Sequence, residues 1–183
     1  MSLENELKSI RDQIDAIDSE WLRLINQRIA LAKKVGEVKQ SYTRDAKSEV
    51  VIYKPEREAQ VIRRLIRENE GDISDAQINI LCREIMSICR GAEAPMRVAV
   101  LGPEGTFTQT AVYKHFGHSV RALPLTTIDE VFHEVESGSA DFGVVPIENS
   151  TAGTVNHTLD SFLMSPLKIC GELELRIRQH LMG

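Results

Sequence analysis

A hydrophobic residue recurs every seven positions from Leu3 to Lys39. Leu3, Ile10, Ile17, Leu24, Leu31 and Val38 hold one position of the repeat, and Leu7, Ile14, Trp21, Arg28 and Val35 hold the other seam position. No proline interrupts this stretch, and its only glycine, Gly36, comes near the end. The pattern predicts one long helix with a coiled-coil-type seam, which must pack along its length against other helices. Arg28 stands where the repeat demands a hydrophobe. A guanidinium there is costly unless something anionic meets it. Two readings are open for it: an ion pair to a neighbouring helix, or a site for an anionic ligand. Lys39 returns to within roughly 20° of Arg28 around the helix, about 16 Å along its axis. Arg11, a third cation, lies just outside the apolar stripe, about 25 Å from Arg28 and about 42 Å from Lys39. One small molecule cannot bridge all three within one chain. Two such helices running antiparallel in a dimer would bring Arg11 of one protomer to Arg28 and Lys39 of the other.

Beyond Lys39 the apolar period fades, and the polar, mixed stretch from Gln40 to Val50 reads as a loop. A second helix starts at Tyr53-Lys54-Pro55-Glu56-Arg57-Glu58: proline suits the first turn, and the acids complement the N-terminal dipole. Val61, Ile62, Leu65 and Ile66 supply its buried stripe, and Gly71 ends it. Ser74 with Gln77 predicts a capping box for a third helix, with Ile78, Leu81, Ile85 and Ile88 facing its core and Gly91 and Pro95 closing it. Residues 1–95 therefore read as an all-helical unit.

From Met96 the period changes. Met96–Leu101 and Asp141–Ile147 read as buried strands, Val120–Leu123 as a weaker one, and Leu167–Ile177 as a last strand. Helices are expected from Thr108 to Phe116, from Thr127 to about Ser137, and up to about Leu163 after the polar turn Glu148–Thr154. Alternating strands and helices imply a mostly parallel sheet over residues 96–183. In such sheets ligands bind beyond the carboxyl ends of strands, where Gly102–Phe107 and Glu148–Thr154 both fall. Either turn can be purely structural, and neither is a phosphate loop, since the lysine and its spacing are missing.

Composition narrows the function classes. A net charge of −5 gives no basic footprint for nucleic acid. No apolar run approaches the roughly 18 residues of a membrane span, and the polar start Met1–Lys8 is no signal peptide. Cys82, Cys89 and Cys170 show no metal-ligand spacing and read as reduced thiols of a cytoplasmic protein. His115 and His118 have no carboxylate cluster beside them, so neither metal nor cofactor is expected.

Arg11, Arg28, Lys39, Pro55-Glu56-Arg57-Glu58 and the later Cys89-Arg90-Gly91-Ala92-Glu93 resemble the helical class of chorismate mutase. Gly-Pro-Glu-Gly-Thr-Phe at 102–107 and Val-Pro-Ile-Glu-Asn-Ser-Thr-Ala-Gly-Thr-Val-Asn-His-Thr-Leu-Asp at 145–160 are similar to the start of prephenate dehydratase. In this order they resemble the bifunctional P-proteins of phenylalanine biosynthesis, over essentially the whole chain.

That resemblance implies an intertwined dimer of three-helix mutase modules, followed by an incomplete dehydratase lobe of periplasmic-binding-protein-like type. It implies the Claisen rearrangement of chorismate to prephenate. Arg28 and the other protomer's Arg11 would bind the two carboxylates. Lys39 would donate to the ether oxygen, Glu58 would accept from the ring hydroxyl, and Arg57 would support it. Three positions depart from the pattern. Glu93 replaces a glutamine that donates to the ether oxygen, so it must be protonated to do the same. Cys89 replaces a serine that contacts a carboxylate, and Lys54 replaces an aspartate. In the lobe, Thr106, Asn149, Ser150 and Thr151 would line half of the dehydratase cleft. The Thr-Arg-Phe and Glu-Ser-Arg-Pro motifs of the family do not occur, so mutase activity without dehydratase activity is expected of this chain. The competing reading is a non-catalytic dimerisation module carrying a lobe that senses a small aromatic acid.

Overall fold

A computed structural model describes residues 3–46, 53–149 and 153–177. The chain divides into two compact units, Met1–Ala94 and Pro95–Gly183.

The first unit holds three helices: α1 (Leu3–Ala46), α2 (Pro55–Glu68) and α3 (Asp75–Glu93). At 44 residues α1 is about 66 Å long. It runs past the expected loop start at Gln40, because no proline or glycine follows Gly36 before Ala46 and polar residues such as Gln40 and Lys39 propagate a helix well. Pro55 opens α2 with Glu56 and Glu58 in its first turn. The capping box forms as the sequence predicts: Ser74 Oγ accepts from the Gln77 amide, and the Gln77 side chain accepts from the Ser74 amide at 2.9 Å. Helix α3 packs against both α1 and α2. It buries Ile78, Met86, Ser87, Cys89 and Arg90.

Most of the α1 seam is uncovered within one protomer. Ile10, Ile14, Ile17, Trp21 and Leu24 are each half or more exposed, and Leu3 is 73% exposed. Burying these five side chains against another helix would contribute several kcal/mol, at about 25 cal/mol per Å² of apolar surface.

The second unit is a three-stranded parallel sheet in the order β2-β1-β3, with β1 Arg97–Leu101, β2 Arg121–Leu125 and β3 Phe142–Val144. Helices α4 (Phe107–Phe116) and α5 (Ile128–Glu136) connect the strands. Alternation along β1 sends Ala99 to one face and Val98 and Val100 to the other. Ala99 packs with Val131 of α5 and Ala140. Phe142, the register partner of Val98, meets Phe116 of α4 at 5.4 Å between ring centroids. So α4 and α5 cover opposite faces.

Two expectations fail here. The strand expected over Asp141–Ile147 ends at Val144, because Pro146 has no N–H to donate to a ladder. The polar turn after it is a small antiparallel hairpin of β4 (Glu148–Asn149) and β5 (Gly153–Thr154), leading to α6 (Asn156–Met164). Buried Thr158 of α6 donates to the Pro146 carbonyl at 2.7 Å. Leu167–Ile177 forms no strand either. It pairs with no strand among the described residues and is tied to α4 by Lys114 Nζ donating to the Glu174 carbonyl at 2.8 Å. Apolar alternation needs a free sheet edge in reach to become a strand.

Candidate active site

The last turn of α3 gathers the charged groups of the helical unit. On an ideal helix Glu93 falls about 40° from Cys89 and about 60° from Arg90, so all three share one arc. Each meets a different residue of another helix. Arg28 Nη1 of α1 donates to Cys89 Sγ at 2.7 Å. Lys39 Nζ of α1 donates to Glu93 Oε1 at 2.8 Å. Arg90 donates to Glu58 of α2. Arg28 and Lys39 thus use one strip of α1, as their spacing predicts, and both reach α3.

Close approach of α1 and α3 depends on Gly36. A Cβ at this buried position would lie 2.7 Å from Glu93 Cγ. The missing side chain is the passage through which the Glu93 stem crosses α1 to reach Lys39.

Arg28 also acts on its surroundings. Burial pushes the Cys82 thiol up from its ordinary range, and the nearby Arg28 charge partly offsets this. Arg28 itself is exposed in one protomer, so the enclosed seam position read from the heptads is open on this side.

The sequence expectations divide three ways. Arg28, Lys39, Glu58, Cys89 and Glu93 come together around the end of α3. Arg11 and Arg57 do not join them. Arg11 sits on the exposed N-terminal half of α1, and Arg57 is exposed, about 100° around α2 from Glu58. Ser150 and Thr151 lie outside the described residues.

Around Thr106 of the α/β lobe the geometry is local. Thr106 is the N-cap of α4: its hydroxyl accepts from the Gln109 amide at 3.4 Å and donates to the Leu101 carbonyl at 3.2 Å. Gln109 Oε1 accepts from the Gly105 amide at 2.6 Å, and Gly105 has φ +80°. Asn149 is exposed in β4, in register with Gly153. A depression of about 360 Å³ on α2, lined by Gln60, Arg63, Ile66 and Arg67, contains none of the candidate residues.

One residue of the cluster was not singled out from sequence. Arg90 is 7% exposed, and its guanidinium carbon lies 5.1 Å from the ring centroid of buried Tyr53. A signal existed. Ile78, Cys82, Met86 and Arg90 recur every four residues, so Arg90 continues an apolar row of α3.

A three-helix unit with cations and carboxylates meeting at one helix end, joined to a parallel α/β lobe, defines a two-part protein whose first part gathers its charges where α3 ends. Residues 10–94 match the family Chorismate mutase type II, and residues 98–183 match Prephenate dehydratase. In this order the two matches span nearly the whole chain, which is similar throughout to bifunctional chorismate mutase/prephenate dehydratases. It is 52% identical to the bifunctional chorismate mutase/prephenate dehydratase of Stutzerimonas stutzeri, over 100% of this chain and 50% of that protein. Identity to the protein of that name from Pseudomonas aeruginosa is 49%, again over 100% of this chain and 50% of that one. The Aquifex aeolicus protein is 44% identical over 97% of this chain and 49% of its own length. The chain spans about half the length of the curated relatives it matches. An X-ray structure of prephenate dehydratase from Streptococcus mutans is similar over 37% of this chain at 38% identity, with a TM-score of 0.36, too low to define the lobe's fold.

Proposed function

We propose that the helical unit, residues 1–95, rearranges chorismate to prephenate as a homodimer. The single observation that carries this reading is the convergence of Arg28, Lys39, Glu58, Cys89 and Glu93 at the end of α3, in a segment matching type II chorismate mutases. The rearrangement moves no proton and forms no covalent intermediate. The protein has only to hold the compact conformer of a dianion and stabilise charge on the breaking ether oxygen. Arg28 of one protomer and Arg11 of the other bind the two carboxylates. Lys39 donates to the ether oxygen and a carboxylate. Glu58 accepts from the ring hydroxyl, with Arg57 supporting it, and Cys89 lines the pocket beside Arg28.

The uncovered α1 seam supports the dimer. It leaves Arg11 far along an exposed helix, where only a second protomer can bring it to a site. The Lys39–Glu93 pair adds a condition. With its proton Glu93 can donate to the ether oxygen, and without it Glu93 repels that oxygen and holds Lys39 instead. Glu93→Gln, which carries a donor without needing an added proton, should therefore keep turnover. A variant without turnover would remove a donating Glu93 from the ether site.

We assign residues 96–183 to one lobe of a two-lobed, binding-protein-like dehydratase fold, with Thr106, Asn149, Ser150 and Thr151 toward its cleft. A whole protein of this kind would also convert prephenate to phenylpyruvate. The test is depletion of chorismate by the purified chain across pH, with phenylpyruvate followed in parallel. Chorismate loss without phenylpyruvate is the expected result. A chain that dimerises and leaves chorismate untouched would instead be a dimerisation module.

A further inference from the structure

We propose that Arg90 is a positioning residue of the mutase pocket: it holds the Glu58 carboxylate where that group meets the substrate's ring hydroxyl. The inference rests on the mutase reading above and goes beyond it to a residue that the reading leaves without a role.

Arg90 is almost completely withdrawn from water, and a guanidinium so placed needs an anionic partner. Glu58 provides it from the first turn of α2, with Arg90 Nη1 donating to Glu58 Oε1. Tyr53, just ahead of α2, provides a second hold. The guanidinium carbon lies 5.1 Å from its ring centroid, within the range of a cation–π contact. Arg90 is thus fixed by its own helix, by an aromatic face and by a carboxylate.

The consequence falls on Glu58. A glutamate at the start of a helix has several rotamers, and a hydroxyl acceptor works only if its oxygens are already in place when substrate arrives. A planar guanidinium bonded to that carboxylate selects one orientation. An ionised carboxylate has acceptor sites for more than one donor, so the Arg90 bond leaves capacity for a hydroxyl. The arc of α3 gives the arrangement its logic. The turn that sends Cys89 to Arg28 and Glu93 to Lys39 also sends Arg90 to Glu58. One helix end thereby registers side chains of α1 and α2 against each other.

A thermodynamic cycle on the dimeric chain tests this with chorismate as substrate, comparing wild type, Arg90→Met, Glu58→Gln and the double variant. Arg90→Met should lower kcat/KM on the order of 10²-fold, the loss expected when a positioned group drifts by about an ångström. In the Glu58→Gln background the same change should cost less than about threefold, because the group Arg90 positions is already disabled. Losses that multiply in the double variant would show that Arg90 acts on the helix pair and not through Glu58, and an unchanged Arg90→Met would dismiss it altogether. If Arg90→Met fails to fold, Arg90→Lys decides by the same comparison. It keeps the charge without the fork, so about tenfold should be lost, and lost only while Glu58 is present. A wild-type chain without mutase activity would overturn the functional reading itself, a result separate from any outcome of the cycle.

Discussion

The candidate residues of the two units use their polar side chains in different ways. In the helical unit, Arg28, Lys39, Glu58, Arg90 and Glu93 reach across to other helices, over sequence separations as large as 61 residues. In the α/β lobe, Thr106 bonds within five residues of itself, and long-range side-chain bonds such as Arg97 Nη2 to the Gly138 carbonyl and Lys114 Nζ to the Glu174 carbonyl involve none of the candidate residues. Long-range polar contacts that hold helices together are what a ligand can compete for. Local ones are spent on making elements. The candidate residues of the helical unit therefore join helices, while Thr106 of the lobe is spent on capping α4.

Substitutions can break this contrast, and the largest effect should come from Arg28. Arg28→Leu completes the hydrophobic seam, so the dimer should persist or tighten by sedimentation while chorismate turnover falls by about 10³-fold. Retained turnover would mean the guanidinium is only a structural contact to Cys89.

Gly36→Ala comes next. Alanine is normally worth about 1 kcal/mol of added stability over glycine inside a helix. Here its Cβ would meet Glu93 Cγ at 2.7 Å. Turnover should fall on the order of 10²-fold as Glu93 is pushed out of its place beside the ether site, without a rise in melting temperature. A more stable and fully active variant would show that the passage has no bearing on the site.

The smallest effect belongs to the lobe. Thr106→Ala removes the α4 cap, which should destabilise the lobe by about 1 kcal/mol in denaturant titration and leave mutase kcat/KM unchanged. A change in chorismate turnover would link the two units in a way the contrast denies.

How far the sequence revealed this follows the same divide. The heptad repeat disclosed α1, the Ser74–Gln77 box disclosed the start of α3, and the Arg28–Lys39 spacing placed two cations on one strip. These are periodic or local signals. Two features had no such signal, and a third, Arg90, had one that its charge masked. The extension of α1 to Ala46 is driven by helix propagation through residues with no apolar period. Leu167–Ile177 carries strand-like alternation, but a strand also needs a partner edge, and alternation says nothing about that. Arg90 hides because its charge suggests an exposed face, while Glu58 and Tyr53, which keep it buried, lie more than thirty residues earlier. Tertiary partners decide such cases, and one chain read alone names them only through resemblance.

The central claim is that each pocket takes its cations from two protomers. It is tested most directly by mixing two disabled variants. Arg11→Ala and Arg28→Ala should each lose turnover as homodimers. Unfolded together and refolded as a mixture, they form heterodimers in which one of the two sites regains both arginines, one from each chain. Random assortment then restores about a quarter of wild-type activity. Recovery to that level is the predicted result. A mixture no more active than its two components, with heterodimers shown to be present, would contradict a pocket shared between protomers.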